Sequence, residues 1–488
     1  MKKIRAAVEA KIGLHIDDLG HRATHSLKSR FERPNPKHFK AKNMGFWAGN
    51  IPRTIKQWEI EDQWLMLSRA ALEVIEEVLA EHDMVLDDVK DRTIAGEKID
   101  LRLKKELRPY QVEAVRHLIA TASDKHRGAV VRGPCGSGKT CILLGSMAAV
   151  RRPTLVVVHT KPLMDQWLGE CVEWFGIVPG SIGGGRKETI KDVTVGMQQT
   201  IHRRIKDGNA PWLERFGLMV GDEIHRFAAK TFQEVVERVP AAMRLGASAD
   251  ERRKDGLEFL IYDTFGPCAH QITRDELLQL HRLVPIAMCV VPTEFECESY
   301  VDSVLHRETP DWNGMISEMV DDDERNALIL DRVMRELRDP SVRMLLLNDR
   351  VDPCVRWVRV LNARGVPAGL MIGGSKNANE LAATKRGLLN GDLRVGVGTK
   401  VADEGLDIPP LTHVVLTTPV AQHPKRLEQM IGRAARTCGG KETAVVIYFW
   451  DRKMFPAPKK DENGDDRARR ERNFIRRLEN LVDDIEVE

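Results

Sequence analysis

Residues 133–140 read Gly-Pro-Cys-Gly-Ser-Gly-Lys-Thr. A G-x-x-x-x-G-K-T spacing constrains the chain around it severely. It calls for a strand before it, a helix after it, and glycines where the backbone closes on an anion. The apolar run Gly128–Arg132 and the helical pattern Cys141–Val150 supply that context. Backbone N–H groups of such a loop surround a phosphate, and the helix N-terminus adds partial positive charge. Gly133, Gly136, Ser137 and Gly138 are therefore expected to form the cradle. Lys139 is expected to reach the β- and γ-phosphates, and the Thr140 hydroxyl to hold Mg²⁺.

Short apolar runs alternate with helical stretches on both sides of this loop. Strands are expected at Ala129–Val131, Leu155–Val158, Val193–Met197, Leu218–Gly221 and Leu245–Ala249. A second set is expected at Met344–Leu347, Gly369–Ile372, Val395–Gly398, Val414–Thr417 and Ala444–Phe449. Strands that alternate with helices form parallel sheets covered on both faces. The fold class is thus α/β, with two tandem parallel-sheet domains and a small N-terminal α+β accessory domain. The expected boundaries are 1–98 for the accessory domain, 99–275 for the first sheet domain and 276–325 for a connecting segment. The second sheet domain is then 326–455 and the tail 456–488.

Asp222-Glu223-Ile224-His225 follows the apolar run Leu218–Gly221. A carboxylate at a strand end beside a phosphate loop can hold Mg²⁺ through water, and an adjacent Glu can polarise the attacking water. At this point a kinase, a GTPase and an ATPase all remain open. Arg433 and Arg436 stand three apart in a helical pattern, hence on one expected helix face. Such arginines can neutralise charge on a γ-phosphate at the transition state.

Taken together the motifs resemble superfamily 2 helicases, over about 350 residues from Leu107 to Trp450. Leu107-Arg108-Pro109-Tyr110-Gln111 looks like the adenine-reading motif, which implies nucleotide contacts from Arg108 and Gln111. Asp222–His225 looks like a DEAH-type box, and Ser248-Ala249-Asp250 like the inter-domain coupling motif, with Asp250 where Thr is usual. Gly398-Thr399 through Glu404-Gly405-Leu406-Asp407 looks like motif V, with Lys400 in place of a small residue. Gln429–Arg436 looks like motif VI. The resemblance implies RecA-like domains, ATP and Mg²⁺ as cofactors, catalytic roles for His225 and Gln429, and nucleotide contacts from Gly405 and Asp407. The run Arg252-Arg253-Lys254-Asp255-Gly256 and the N-terminal block resemble the XPB-like branch, and within it the phage UvsW-type recombination and repair helicases.

Helicases of this kind hold one strand across the tops of both domains, mostly by its phosphates, which position rather than specify. Thr160, Lys161, Gly184, Arg186, Gln198 and Thr200 are the expected contacts in the first domain, with Gln198 and Thr200 ending a strand. Ser375, Lys376 and Thr399 are their expected counterparts in the second.

Charge is locally informative only. Lys+Arg is 75 against Asp+Glu at 72, a net of +3, so a nucleic-acid footprint has to be local. Residues 1–60 carry such a bias, with 13 Lys/Arg and 5 Asp/Glu among aromatics. Lys37 and Lys40, with Arg33 and Lys42, form the expected basic patch of a DNA-binding module. Pro34, Pro36 and Pro52 argue against a long helix there, Glu61–Glu81 reads as helical, and residues 83–98 read as a linker. The eight cysteines form no Cys-x-x-Cys pair, which argues against zinc or an iron–sulfur cluster. No apolar run is long enough to span a bilayer and no secretory leader is visible, so the cytoplasm of a bacterium or an infected host is the expected compartment. The expected activity is ATP-driven translocation on single-stranded or branched DNA. A nucleotide-gated clamp without strand separation and an RNA-directed remodeller are the alternatives.

Overall fold

The computed structural model describes residues 1–43, 47–124, 127–224, 230–249, 257–300, 311–374, 377–399, 408–419, 431–432, 434–453, 478 and 482–488. The chain divides into two units, Met1–Thr273 and Arg274–Glu488. No helix among the described residues is long and apolar enough to cross a membrane.

The first unit opens with an accessory module. Its strands are β1 (Lys2–Val8), β2 (Ile12–His15), β3 (Glu32–Pro34), β4 (Thr54–Lys56), β5 (Trp58–Glu61), β6 (Trp64–Leu67) and β7 (Met84–Asp91). Five of them form a sheet in the order β5-β6-β2-β1-β7, and β3 pairs with β4 as a separate two-stranded ribbon. Strict alternation in β1 buries Ile4, Ala6 and Val8 on one face, as period-2 patterning requires. Leu19, Leu27 and Phe31 and the helix Leu72–Glu81, through Ile75, Val78 and Leu79, complete that core.

Three expectations for this module are corrected. A 15-residue helical segment, Ile16–Arg30, is present in the region where a long helix was argued against. Every proline of the block lies downstream of it, and the segment absorbs its own break at Gly20, φ 68°. Leu65 and Leu67, read as helical, lie in β6, because Trp64–Leu67 pairs with both β2 and β5. Residues 84–91, read as linker, are β7, a parallel partner of β1.

The rest of this unit is an all-parallel sheet. Its strands are β8 (Gly128–Arg132), β9 (Thr154–Val158), β10 (Gly180–Ile182), β11 (Val193–Met197), β12 (Leu218–Gly221), β13 (Met243–Ser248) and β14 (Cys268–Gln271). Their order is β10-β11-β9-β12-β13-β8-β14. β9 and β12 are buried at every position, which is why they read as unbroken apolar runs.

The second unit repeats the plan with β15 (Ile286–Glu296), β16 (Met344–Leu347), β17 (Ala368–Met371), β18 (Val395–Gly398), β19 (His413–Leu416), β20 (Ala444–Lys453) and β21 (Asp484–Val487). All pairings are parallel, in the order β17-β18-β16-β19-β20-β15-β21. Residues 276–325, read as connecting segment, thus contribute β15, an interior strand. Pro292 within it reads as a breaker, yet it sits in register opposite Trp450. The tail contributes β21, held beside β15 by the ion pairs Arg274–Asp483 and Arg332–Glu488. A buried pair, Arg325–Asp451 at 2.6 Å, with Thr293 donating to Asp451, ties helix Asp323–Glu336 to the sheet. The expected helix at 473–482 lies outside the described residues except for Leu478 and Val482.

Candidate nucleotide site and nucleic-acid track

Parallel strands present all their carboxyl ends on one edge, where ligands of open α/β sheets bind. β8 runs straight into the loop 133–138, and the helix Lys139–Val150 starts on it. Gly136 and Gly138 take φ of 87° and 73°, which L side chains disfavour. A Cβ on Gly138 would stand 2.3 Å from Gln111 Nε2, so close packing also demands glycine there. Lys139 is buried and its Nζ donates to the loop carbonyls of Gly133 (2.8 Å) and Pro134 (3.0 Å). Ser137 Oγ donates to Pro134 O, and Tyr110 Oη to Ser137 O. Gly133 N donates to Ser248 O at the end of β13. Since β13 lies between β8 and β12, Ser248, the first residue of the coupling motif, stands between the loop strand and the acid strand.

Asp222 directly follows β12, and its carboxylate is buried and well tied. Trp167 Nε1 donates to Oδ2 at 3.1 Å, the Thr140 hydroxyl to Oδ2 at 3.3 Å, and Glu223 N to Oδ1 at 2.9 Å. Burial first, then the neighbouring Glu223 carboxylate, push the Asp222 carboxyl up to about 6, against the pull of Lys139 and the Trp167 bond. Glu223 itself has φ 53°, a left-handed conformation that costs a non-glycine residue about 1–3 kcal/mol. The set fits a magnesium nucleotide. Hydroxyl and carboxylate oxygens are hard donors suited to Mg²⁺, and the Thr140 hydroxyl and Asp222 carboxylate stand together at the loop.

Gln111 and Arg108 open helix Pro109–Ser123. Gln111 Oε1 accepts from Arg108 N at 2.9 Å, so the amide that the resemblance assigns to the base also caps this helix against the loop. Arg108 is exposed. His225, Asp250, Ser375, Lys376, Lys400, Gly405, Asp407, Gln429 and Arg433 lie outside the described residues.

Arg436 corrects an expectation. The residue stands outside helical geometry: it pairs as a β-bridge with Leu283, and Val284 N donates to Ala435 O. The backbone leaves helical geometry at this bridge, and Gly439-Gly440 come three residues further on. Lys441 holds this segment. Its Nζ donates to Arg436 O and Leu411 O, both at 2.6 Å, and burial brings its ammonium down to about 8. Trp167, Tyr110 and Lys441 are contacts that sequence reasoning missed. Trp167 reads as an ordinary core position on an amphipathic helix, and nothing in its spacing shows the indole N–H reaching Asp222.

The expected nucleic-acid contacts of the first unit follow β9, β10 and β11, the neighbouring strands on the other half of the same edge. Thr160 caps helix Lys161–Phe175 by accepting from Leu163 N, and Lys161 is exposed. Gly183, Gly184 and Gly185 all have positive φ, and a Cβ on Gly183 would be 2.4 Å from Thr200 Oγ1. Gln198 and Thr200 do not end a strand; they begin helix Gln198–Lys206. Gln198 is buried and donates to Thr231 Oγ1, while Arg186 is ion-paired with Asp165 at 2.7 Å. Thr399, after β18, donates its N–H to Met371 O.

Lys37 and Lys40 are exposed on helix Pro36–Asn43, with Lys42. Arg33 departs from that patch. Its guanidinium stacks over Phe259 at 4.3 Å and lies 3.5 Å from Asp263, within the parallel-sheet part of the unit.

Comparison with known proteins agrees with this geometry. Residues 104–251 match the family "Type III restriction enzyme, res subunit", and residues 329–438 match "Helicase conserved C-terminal domain". "Probable helicase D10" of Escherichia phage T5 is 23% identical over 65% of this chain and 66% of its own. "DNA 3'-5' helicase XPB" of Kineococcus radiotolerans is 27% identical over 69% of this chain and 58% of its own. The chain therefore spans less than two thirds of these relatives' lengths. The DNA-bound "ATP-dependent Type ISP restriction-modification enzyme LlaBIII" shares the fold over 78% of this chain and 30% of that one, with TM-score 0.52 and 16% identity. With both matches in order, one in each unit and each unit built on an all-parallel sheet, the chain carries the two domains of a helicase core and is similar to superfamily 2 helicases, the XPB and phage helicases among them.

Proposed function

We propose that the protein is an ATP-driven translocase on DNA that separates or remodels strands in branched structures. The observation that supports this most is the gathering of Lys139, Thr140, Asp222 and Glu223 at the ends of β8 and β12. Bound ATP would supply the labile phosphoanhydride, and Mg²⁺ would neutralise its oxygens. Lys139 would leave the Gly133 and Pro134 carbonyls for phosphate oxygens. Thr140 and Asp222 would hold the metal. Glu223, next to a carboxylate kept in place by three donors, would take the proton of the attacking water. Arg433 and Arg436 are proposed, from motif order alone, to stabilise transition-state charge. The neighbouring ends of β9, β10 and β11 would carry the strand by its phosphates. DNA is named in the descriptions of several XPB and Rad25 relatives and RNA in that of one mimivirus relative, and the reading follows the former.

ATPase measured across single-stranded, forked, four-way and duplex DNA, and RNA, tests the reading. Lys139→Ala should abolish nucleic-acid-stimulated hydrolysis, and Glu223→Gln should bind ATP yet turn over at least about 10²-fold more slowly. Unchanged hydrolysis in Lys139→Ala would overturn the assignment. Strand displacement by the wild type separates a motor from a clamp.

A further inference from the structure

Between Arg33 and Trp58 the chain carries six Lys/Arg and no Asp or Glu. The fold turns this run into an outlying ribbon, β3–β4, with helix Pro36–Asn43 between the strands. That helix buries none of its residues, so core formation does not account for it. Lys37, Lys40, Lys42 and Arg53 make no ion pair among the described residues, and all four are exposed. Two aromatics accompany them in the open, Phe39 at 41% and Trp47 at 75% exposure. An exposed indole beside cations with no acidic neighbour in the run offers a flat apolar face next to a positive surface.

The ribbon is nonetheless firmly based. Gln57 Nε2 donates to Asp263 Oδ2 at 3.0 Å, Arg33 faces the same carboxylate, and Ser68 Oγ donates to Asp263 O. Asp263 belongs to the short helix Phe259–Phe265, whose Thr264 carbonyl accepts from Arg244 of β13. β13 also ends at Ser248, whose carbonyl holds the phosphate loop through Gly133 N. A single run of bonded elements thus joins the ribbon's base to the nucleotide loop.

We propose that the β3–β4 ribbon is a fork-holding site. The lysines of its helix grip the phosphates of a DNA duplex arm, and Trp47 stacks on the unpaired base where that arm opens. Asp263 positions the ribbon on the first unit. Cations clustered without acids complement a phosphate backbone, and an exposed indole complements a base face, so duplex beside a single strand satisfies both. The inference rests on the DNA reading above and specifies its substrate.

The test compares full-length wild type, Lys37→Ala/Lys40→Ala/Lys42→Ala and Trp47→Ala for binding to labelled forked, blunt-duplex and single-stranded DNA at several salt concentrations. Each lost phosphate contact lowers the slope of log K against log salt by about 0.9, so the triple variant should lose about 3 in slope and at least tenfold in fork affinity. Trp47→Ala should keep duplex affinity and lose the preference for the fork. Thermal melting of both variants should match wild type, because the helix buries none of its residues and Trp47 is 75% exposed. Wild-type fork affinity and slope in the triple variant would overturn the proposal, as would an undiminished fork preference in Trp47→Ala. Failure of DNA to stimulate the wild-type ATPase would instead count against the broader reading.

Discussion

Asp222 shows how burial and one neighbour set the charge of a side chain. Burial and Glu223 raise its carboxyl to about 6, and the Trp167 indole pulls the other way. A carboxyl whose folded pKa exceeds its unfolded value adds stability below the unfolded pKa and loses it as pH rises through 6. At neutral pH the ionised, metal-free side chain therefore weighs against the fold. Asp222→Asn should raise the metal-free unfolding free energy at pH 7 by about 1–3 kcal/mol. The gain should vanish near pH 4, where Asp222 is itself neutral; thermal unfolding at both pH values checks this. Trp167→Phe removes the bond that lowers the pKa, so the acid limb of the ATPase pH profile should move upward. The carboxylates were legible in the sequence because they follow an apolar run at a strand end. The Trp167 donor to Asp222 was not, nor was the Tyr110 donor to the phosphate loop, since both come from helices whose spacing reports only burial.

At the level of elements, legibility tracked burial. Interior strands such as β9, β12, β16 and β19 are covered on both faces and appear as plain apolar runs. β10, β14 and β21 are short or edge strands with mixed burial, and β15 carries Pro292, so none had a clear signature. The end of motif VI was misread for a related reason. A helical period continues on paper through Arg436, but a tertiary partner at Leu283 and the Gly439-Gly440 pair end it earlier. Lys441 is the fastening there, with contacts to the carbonyls of Arg436 and Leu411. Lys441→Met removes those donors and relieves the burial of a charge, so the net effect on folding should be small. If Arg436 acts on phosphate, kcat should fall about 10- to 100-fold with little change in the KM for ATP, because misplacement by about 1 Å has that effect on a positioned group. Steady-state kinetics separates the two parameters.

Across the molecule, the accessory module and the first parallel sheet share one unit, and Arg244 explains much of why. This side chain is 1% exposed, and its guanidinium donates to Ala10 O at 2.7 Å, Val236 O at 2.8 Å and Thr264 O at 3.3 Å. Burial brings it down to about 10. One of its acceptors is supplied by the module, the others by the first parallel sheet's part of the unit. Shortened forms that begin near residue 99, designed to isolate the motor, would uncover this cation and strip Asp263 of its partners at the same stroke. Such trimmed proteins should be recovered mostly as aggregate, with any soluble fraction melting well below the intact chain. The first ninety or so residues are in this sense a piece of the engine casing, and a laboratory that discards them as an appendage discards part of the seal.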